Sequence, residues 1–302
     1  MAANSNIFDV AIIGSGPAAF TAAIYTAREN LSVTIYERAA IGGLAGTISK
    51  IENFPGFTGT GTKLMANMRT QAESFGATVE YGECTAIKKV GRNFRLTVDD
   101  LPVQARSVII ATGSERRRLN IPGEDTPNVS YCATCDGPLT TGKDVVVIGG
   151  GNSATQEAFF LLKYAHKVTI MSRSPLSCND ILKKRLKAEP RIAVITGATP
   201  EGFISVKGKL TSIEYSIKNT KQTIPADYAF IFIGIIPATS FLPKKILDKD
   251  GAISTDQRLA TTIPGLFAAG DCRHGSAKQA IAAAGEGATA ALSASHYLEN
   301  AK

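Results

Sequence analysis

The sequence predicts an α/β protein of two three-layer domains, the second inserted into the first. Its 302 residues exceed the roughly 100 to 200 residues usual for one domain. The stretch DVAIIGSGPAAFTAAIYTARENLSVTIYER, Asp9 to Arg38, resembles DVVVIGGGNSATQEAFFLLKYAHKVTIMSR, Asp144 to Arg173, at a constant spacing of 135, with 11 of 30 positions identical. The C-terminal segment carries no third copy, so it should return to the first domain.

Each copy reads as an apolar strand, a G-x-G-x-x-A turn, a helix rich in small residues and a second β-branched strand, a Rossmann-like βαβ unit. Gly14 and Gly149 make the tight turn, Gly16 and Gly151 let backbone approach a pyrophosphate, and Ala19 and Ala154 permit close helix–strand packing. The helix N-terminus then faces the phosphates with exposed N–H groups and its positive dipole end. The copies differ 23 residues after the first glycine: Glu37 can accept hydrogen bonds from ribose hydroxyls, whereas Ser172 cannot act as a carboxylate.

After the first unit come a hairpin region, Thr78 to Val98, and the strand-turn SVIIATGS, Ser107 to Ser114. SERRRLNIPGEDTPN, rich in charge and Pro, reads as a domain crossing. The second unit ends with DYAFIFIGIIPA, and a second crossing follows near Thr239 to Pro243. The expected domains are therefore 1–114 with 246–302, and 115–245. In the returning segment, IPGLFAAGDC precedes a helix opening near Ala277 to Gln279. Asp271 there either holds a cofactor hydroxyl or serves as a helix-entry turn residue.

The net charge of +7, from 33 Lys and Arg against 26 Asp and Glu, includes no long block of like charge. Arg116 to Arg118 and Lys183 to Arg185 read as solvated faces, and no nucleic-acid partner is expected. The N-terminus lacks the pattern of a secretory signal, and the most apolar internal run, Ala229 to Ala238, is far short of the ~18 residues of a membrane span. A cytoplasmic protein with no transmembrane segment is expected. In a reducing compartment its five cysteines argue against a structural disulfide framework. The close pair Cys132-x-x-Cys135 leaves three readings: half a zinc site, two inert thiols, or redox chemistry. Zinc needs four ligands, and with no second close pair and His166, His274 and His296 scattered, redox chemistry is favoured.

YCATCDG fourteen residues before the second glycine turn, GSGPAA near the start, ENFPGF, ATG, and GDC with KQAIAAAGEG together resemble the low-molecular-weight thioredoxin reductase family over essentially the whole chain. The C-terminal wording also resembles the flavoprotein subunit of alkyl hydroperoxide reductase. The resemblance implies a homodimer with a split FAD domain and an inserted dinucleotide domain carrying a redox disulfide. Carried over, Cys135 faces the flavin, Cys132 attacks the disulfide of a thioredoxin-like protein or small molecule, and Asp136 is the acid–base group, unless it is only a turn residue. FAD would be held at Gly14, Gly16, Pro17, Ala18, Ala19, Glu37, Asn53, Ala111, Gly113, Gly270, Asp271, Lys278, Gln279 and Ala280. Lys278 stands where the family commonly has Arg, keeping the charge without the bidentate fork.

The second nucleotide site comprises Gly149, Gly151, Asn152, Ser153, Ala154, Ser172 and Arg173. NADPH-dependent members usually end this second strand with His-Arg-Arg and a further Arg four residues on, suited to a ribose 2′-phosphate. Here the positions read Ser172, Arg173, Ser174 and Cys178. NADPH is accordingly expected to be a poor donor, and a second FAD could occupy the platform. Relatives with such erosion include ferredoxin-linked flavin thioredoxin reductases and diflavin-linked disulfide oxidoreductases, which makes ferredoxin or another carrier a candidate donor. A conventional NADPH-dependent reductase is the alternative, and a sensing flavoprotein whose cysteines only register redox state is a third reading. The direction of electron flow is open. Cys84, Cys178 and Cys272 are expected to be ordinary thiols.

Overall fold

With its last four residues buried, Phe8–Ile13 has the continuous apolar run of a strand covered on both faces. In the computed structural model, which describes residues 7–48 and 50–301, it lies between Val33–Glu37 and Leu101–Ile110 in a parallel sheet. Thr78–Tyr81 extends that sheet beyond Val33–Glu37, and Leu266–Ala268 extends it beyond Leu101–Ile110. The long strand Leu101–Ile110 also starts an antiparallel layer, pairing through its first half with Asn93–Val98, which turns back on Cys84–Val90. Only this part of the region expected as a hairpin is one. Thr78–Tyr81 belongs to the parallel sheet because its ladder to Val33–Glu37 continues through Gly82 N–H to the Glu37 carbonyl.

One face of this sheet is covered by the helices Pro17–Arg28, Gly61–Ser74 and Ala280–Asn300, in a core that includes Ala18, Ala22, Ala290 and Ala294. The small residues have a steric reason: a Cβ on Gly287 would stand 2.2 Å from the Ala18 carbonyl oxygen, so the first and last helices meet backbone to backbone. The other face packs Phe94 and Leu96 of the hairpin with Leu242, Ile246 and Ile253.

Arg116–Ile235 forms a second unit by itself. Its sheet is all parallel, in the order Val129–Ser130, Tyr228–Ile231, Asp144–Ile148, Lys167–Ser172, Ile192–Thr196. The helices Asn152–Leu161 and Asp180–Ala188 contribute to the core on one face. An antiparallel sheet of Ala198–Val206, Lys209–Ile217 and Thr220–Pro225 covers the other. Each unit therefore has helices, a parallel sheet and an antiparallel layer, the three-layer α/β class predicted from the repeat.

The first unit consists of Met1–Glu115 and Ile236–Lys302, so it resumes ten residues before the expected 246. Local bonding accounts for the shift. Ala238 N–H donates to the Gly113 carbonyl, Thr239 Oγ1 to the Gly251 carbonyl at 2.5 Å, and Leu242 lies in the first unit's core. Among the described residues, no helix is long and apolar enough to cross a membrane.

Candidate active site and the two nucleotide platforms

Both glycine turns are built by the same steric rule. Gly14 has φ +104° and a Cβ there would meet the Ala111 carbonyl oxygen at 2.4 Å; Gly149 has φ +141° and a Cβ would meet the Phe232 carbonyl oxygen at 2.3 Å. Left-handed backbone and the carbonyl of a neighbouring segment exclude any side chain. Gly16 and Gly151 cap the following helices without a side-chain hydrogen bond, leaving first-turn N–H groups without an intrahelical partner. A Cβ at Gly16 would have nothing within 4 Å, and at Gly151 only Ser177 Oγ at 3.9 Å. Open space over unpaired N–H groups fits a dinucleotide pyrophosphate at either platform. Pro17 opens the first helix, while Ala18 and Ala19, like Ala154 in the second copy, are buried beneath the turn.

The platforms diverge at the ribose end. Glu37 accepts hydrogen bonds from Ser15 Oγ at 2.7 Å and from Ala39 N–H at 2.9 Å. Ser15 is 1% exposed, and its hydroxyl also accepts the Gly42 N–H at 2.9 Å. At the spacing of 135, Glu37, Ser15 and Gly42 correspond to Ser172, Gly150 and Ser177. There Ser177 N–H donates to the Gly150 carbonyl at 2.8 Å, and the buried Ser172 hydroxyl donates to the Ser174 carbonyl at 2.7 Å. Its only hydrogen is committed within the loop. Asn152 Oδ1 accepts the Asn179 N–H at 2.8 Å, Ser153, Arg173 and Ser174 are exposed, and Cys178 is 2% exposed in the core beside Leu182. The side chain at 178 is packed into that core. Arg38, the counterpart of Arg173, pairs with Glu115 and Glu83.

The remaining predicted FAD residues of the first unit lie on its loops, apart from Asn53 on the strand Ile51–Phe54 and Ala280 at the head of the last helix. Ala111 N–H donates to the Ile13 carbonyl at 2.8 Å, Gly113 has φ +65°, and Gly270 N–H donates to Glu286 Oε2 at 2.7 Å. Burial pushes the half-buried Asp271 carboxyl above its ordinary value, against the Ser276 hydroxyl at 3.3 Å and the charge of Lys278. Asn53 Nδ2 donates to Gln279 Oε1 at 3.1 Å, bringing together residues 226 apart. The last helix begins at Ala280 with Gln279 as its cap, at the far end of the expected opening at 277–279, directly after Lys278 at φ +52°.

In the second unit Cys132 and Cys135 are joined by a disulfide. Cys132 is half-buried and caps the single turn Ala133–Asp136, accepting the Cys135 N–H on Sγ at 3.2 Å; Cys135 is exposed. Asp136 closes the turn, its N–H donating to the Cys132 carbonyl at 3.1 Å, and its Oδ2 accepts Ser130 Oγ at 2.6 Å. Ser130 also accepts the Cys132 N–H at 3.0 Å. Just upstream, the buried Glu124 accepts from Leu119 and Asn120 N–H at 2.8 and 2.6 Å and from the Tyr131 hydroxyl. Burial acts to raise the Glu124 carboxyl, and these bonds with the Arg118 charge outweigh it, holding it below its ordinary value. Burial and the Glu124 carboxylate together push the Tyr131 phenol up, so it remains a donor.

The arrangement offers an accessible sulfur, a partly shielded sulfur and an adjacent carboxyl. The other cysteines are buried, and burial pushes the Cys84 and Cys272 thiols up to about 11, far from thiolate chemistry at neutral pH. Ser15, Ser130 and Glu124 were not singled out from sequence. Ser15 stands between the two glycines of the first turn, where the self-alignment could have flagged it. A serine two residues before a cysteine carries no comparable signal.

A disulfide carried on one of two Rossmann-like folds defines an oxidoreductase of the flavoprotein disulfide class. Residues 8–287 match the pyridine nucleotide-disulphide oxidoreductase family. The chain is 39% identical over 313 residues to a thioredoxin reductase of Listeria innocua, covering 100% of this chain and 97% of that one. Among solved structures it is similar to thioredoxin reductase of Lactococcus lactis, with TM-score 0.90 and 37% identity over 97% and 99% of the two chains. The thioredoxin reductase of T. acidophilum gives TM-score 0.87 and 36% identity over 98% and 99%. The chain belongs to the low-molecular-weight thioredoxin reductase family.

Proposed function

We propose that the chain is an FAD-dependent dithiol–disulfide oxidoreductase that exchanges electrons between Cys132–Cys135 and a thioredoxin-like protein or small disulfide, with NADPH an inefficient donor. The observation that carries the redox role is the Cys132–Cys135 disulfide closing a turn that ends in Asp136. FAD fits the first platform through the open cradle at Gly16 and the Glu37 carboxylate held by Ser15, with Asp271 and the Asn53–Gln279 pair as further contacts. When bound, FAD supplies or accepts the electron pair. In the reducing direction Asp136 takes the Cys132 proton, and the Cys132 thiolate attacks the partner's disulfide to form a mixed disulfide. The Cys135 thiolate then attacks Cys132 Sγ, restoring the intramolecular bond, and the departing partner sulfurs leave with the two protons of the dithiol.

Three features support the poor use of NADPH: the committed Ser172 hydroxyl, the buried Cys178, and Arg173 as the only cation among positions 172, 173, 174 and 178. The intact glycine turn suits a second dinucleotide without a 2′-phosphate, for which FAD is our candidate, with ferredoxin or another carrier as donor. The protein would work as a homodimer in a reducing, cytoplasmic setting. The family match to pyridine nucleotide enzymes favours the conventional NADPH reductase as the second reading.

The test is the flavin-to-protein ratio of purified protein with an anaerobic NADPH titration. More than one FAD per chain, or a flavin that micromolar NADPH does not bleach, is expected. Stoichiometric bleaching at one FAD per chain restores the conventional reductase. Ser174→Arg is the variant that should improve NADPH binding if charge is the missing element, since arginine at buried Cys178 has no exposed place to go.

A further inference from the structure

We propose that Ser130 is the positioning residue of the thiol chemistry, holding the Asp136 carboxyl against the backbone of the attacking cysteine; the inference rests on the acid–base reading of Asp136. Ser130 is 7% exposed and sits on the strand Val129–Ser130, whose neighbour Tyr228–Ile231 fixes its backbone. Its hydroxyl has one hydrogen and three polar neighbours. The Asp136 Oδ2 at 2.6 Å is nearer than the Cys132 carbonyl at 3.4 Å, so the hydrogen goes to the carboxylate. The lone pairs then accept the Cys132 N–H at 3.0 Å. With the Asp136 N–H bonded to the Cys132 carbonyl at 3.1 Å, the turn is closed from both sides.

This ring serves a chemical need. Asp136 is the last residue of its turn, has no side-chain cap bond to the 3-10 turn Gly137–Thr140 that follows, and is only partly buried, so its carboxyl could otherwise rotate into water. The bond from Ser130 commits Oδ2 and leaves Oδ1 to exchange the proton. In one turnover that proton leaves Cys132 Sγ as its bond to the partner sulfur forms, and passes to a departing partner thiolate as the mixed disulfide is resolved. Protons and electrons balance, since the enzyme dithiol becomes a disulfide and the partner disulfide a dithiol. Ser130 itself transfers nothing.

The experiment uses the full-length holoprotein, chemically reduced, mixed with 5,5′-dithiobis(2-nitrobenzoate) in stopped flow, for Ser130→Ala, Ser130→Thr, Asp136→Asn and the double variant Ser130→Ala/Asp136→Asn. Ser130→Ala should slow exchange about tenfold, a fraction of the hundredfold or more that a positioned acid–base group contributes. Ser130→Thr, which keeps the hydroxyl, should recover most of the loss. In the Asp136→Asn background the alanine should add nothing, a non-additivity that a purely structural defect does not produce. Multiplicative effects, failure of threonine to rescue, or a Ser130→Ala rate equal to wild type overturns the inference while leaving the role of Asp136 standing. An Asp136→Asn rate equal to wild type sinks the acid–base reading itself, whatever Ser130 does.

Discussion

Both oxygens of Glu37 are oriented by Ser15 and Ala39, so in its proposed role the carboxylate would meet a cofactor hydroxyl without rearranging. Loss of one charge-assisted hydrogen bond, worth ~1.5–3 kcal/mol, should weaken FAD retention in Glu37→Ala by about tenfold or more, with a similar effect in Asp271→Asn. Release of FAD followed by its fluorescence measures this, and full retention in both variants removes the assignment. Asp9, at the start of the same unit, accepts from Ser32 N–H and Oγ at 2.9 and 2.8 Å and from Arg106 at 2.7 Å. Burial acts to raise its carboxyl, and those bonds outweigh it and leave it below the ordinary value. A depressed folded value adds stability above the unfolded value near ~3.9, and the addition is lost as pH falls through the folded value. Asp9→Asn should therefore cost about 1 kcal/mol at neutral pH, with the gap to wild type closing in acid. Urea melts at neutral pH and in acid would give parallel curves if the idea is wrong.

Helix packing in the first unit depends on the absence of a side chain at Gly287, where backbone meets the Ala18 carbonyl. Gly287→Val should separate the first and last helices at a cost of about 3 kcal/mol, lowering the melting temperature and releasing FAD. An unchanged melt would mean the helices tolerate a wider spacing. The repeat makes much of this architecture legible in the sequence, because glycine spacing and β-branched strands are local signals. Glu37, Gly14 and Gly149 stand where their spacing puts them. The antiparallel layer Ala198–Pro225 was not legible: its first ladder is bulged at two points, its strands are half-exposed without a clean alternation, and they lie in no repeated pattern. The hydrogen bonds of Ser15 and Ser130 were equally hidden, since one hydroxyl between distant residues leaves no trace in composition or periodicity. Cys178 shows the opposite case. Sequence marked it as a lost phosphate ligand, and its burial adds that the position faces the core.

At the scale of the molecule, the Cys132–Cys135 disulfide lies in a continuous unit, 116–235, and the first platform in a discontinuous one. The first unit's sheet lacks Leu266–Ala268, and its helix layer lacks Ala280–Asn300, until well after the inserted unit has been made. During synthesis the order of folding is therefore reversed relative to the order of residues. The inserted unit can close as soon as it leaves the ribosome, while the part of the first unit before residue 116 waits for the 65 residues from Ile236 to Asn300. At ~5–20 residues per second that interval lasts roughly 3 to 13 s. Throughout it the alanine face of Pro17–Arg28 is uncovered, a surface open to chaperones, and a nascent chain arrested before residue 280 should carry a folded redox unit on an unfolded flavin unit.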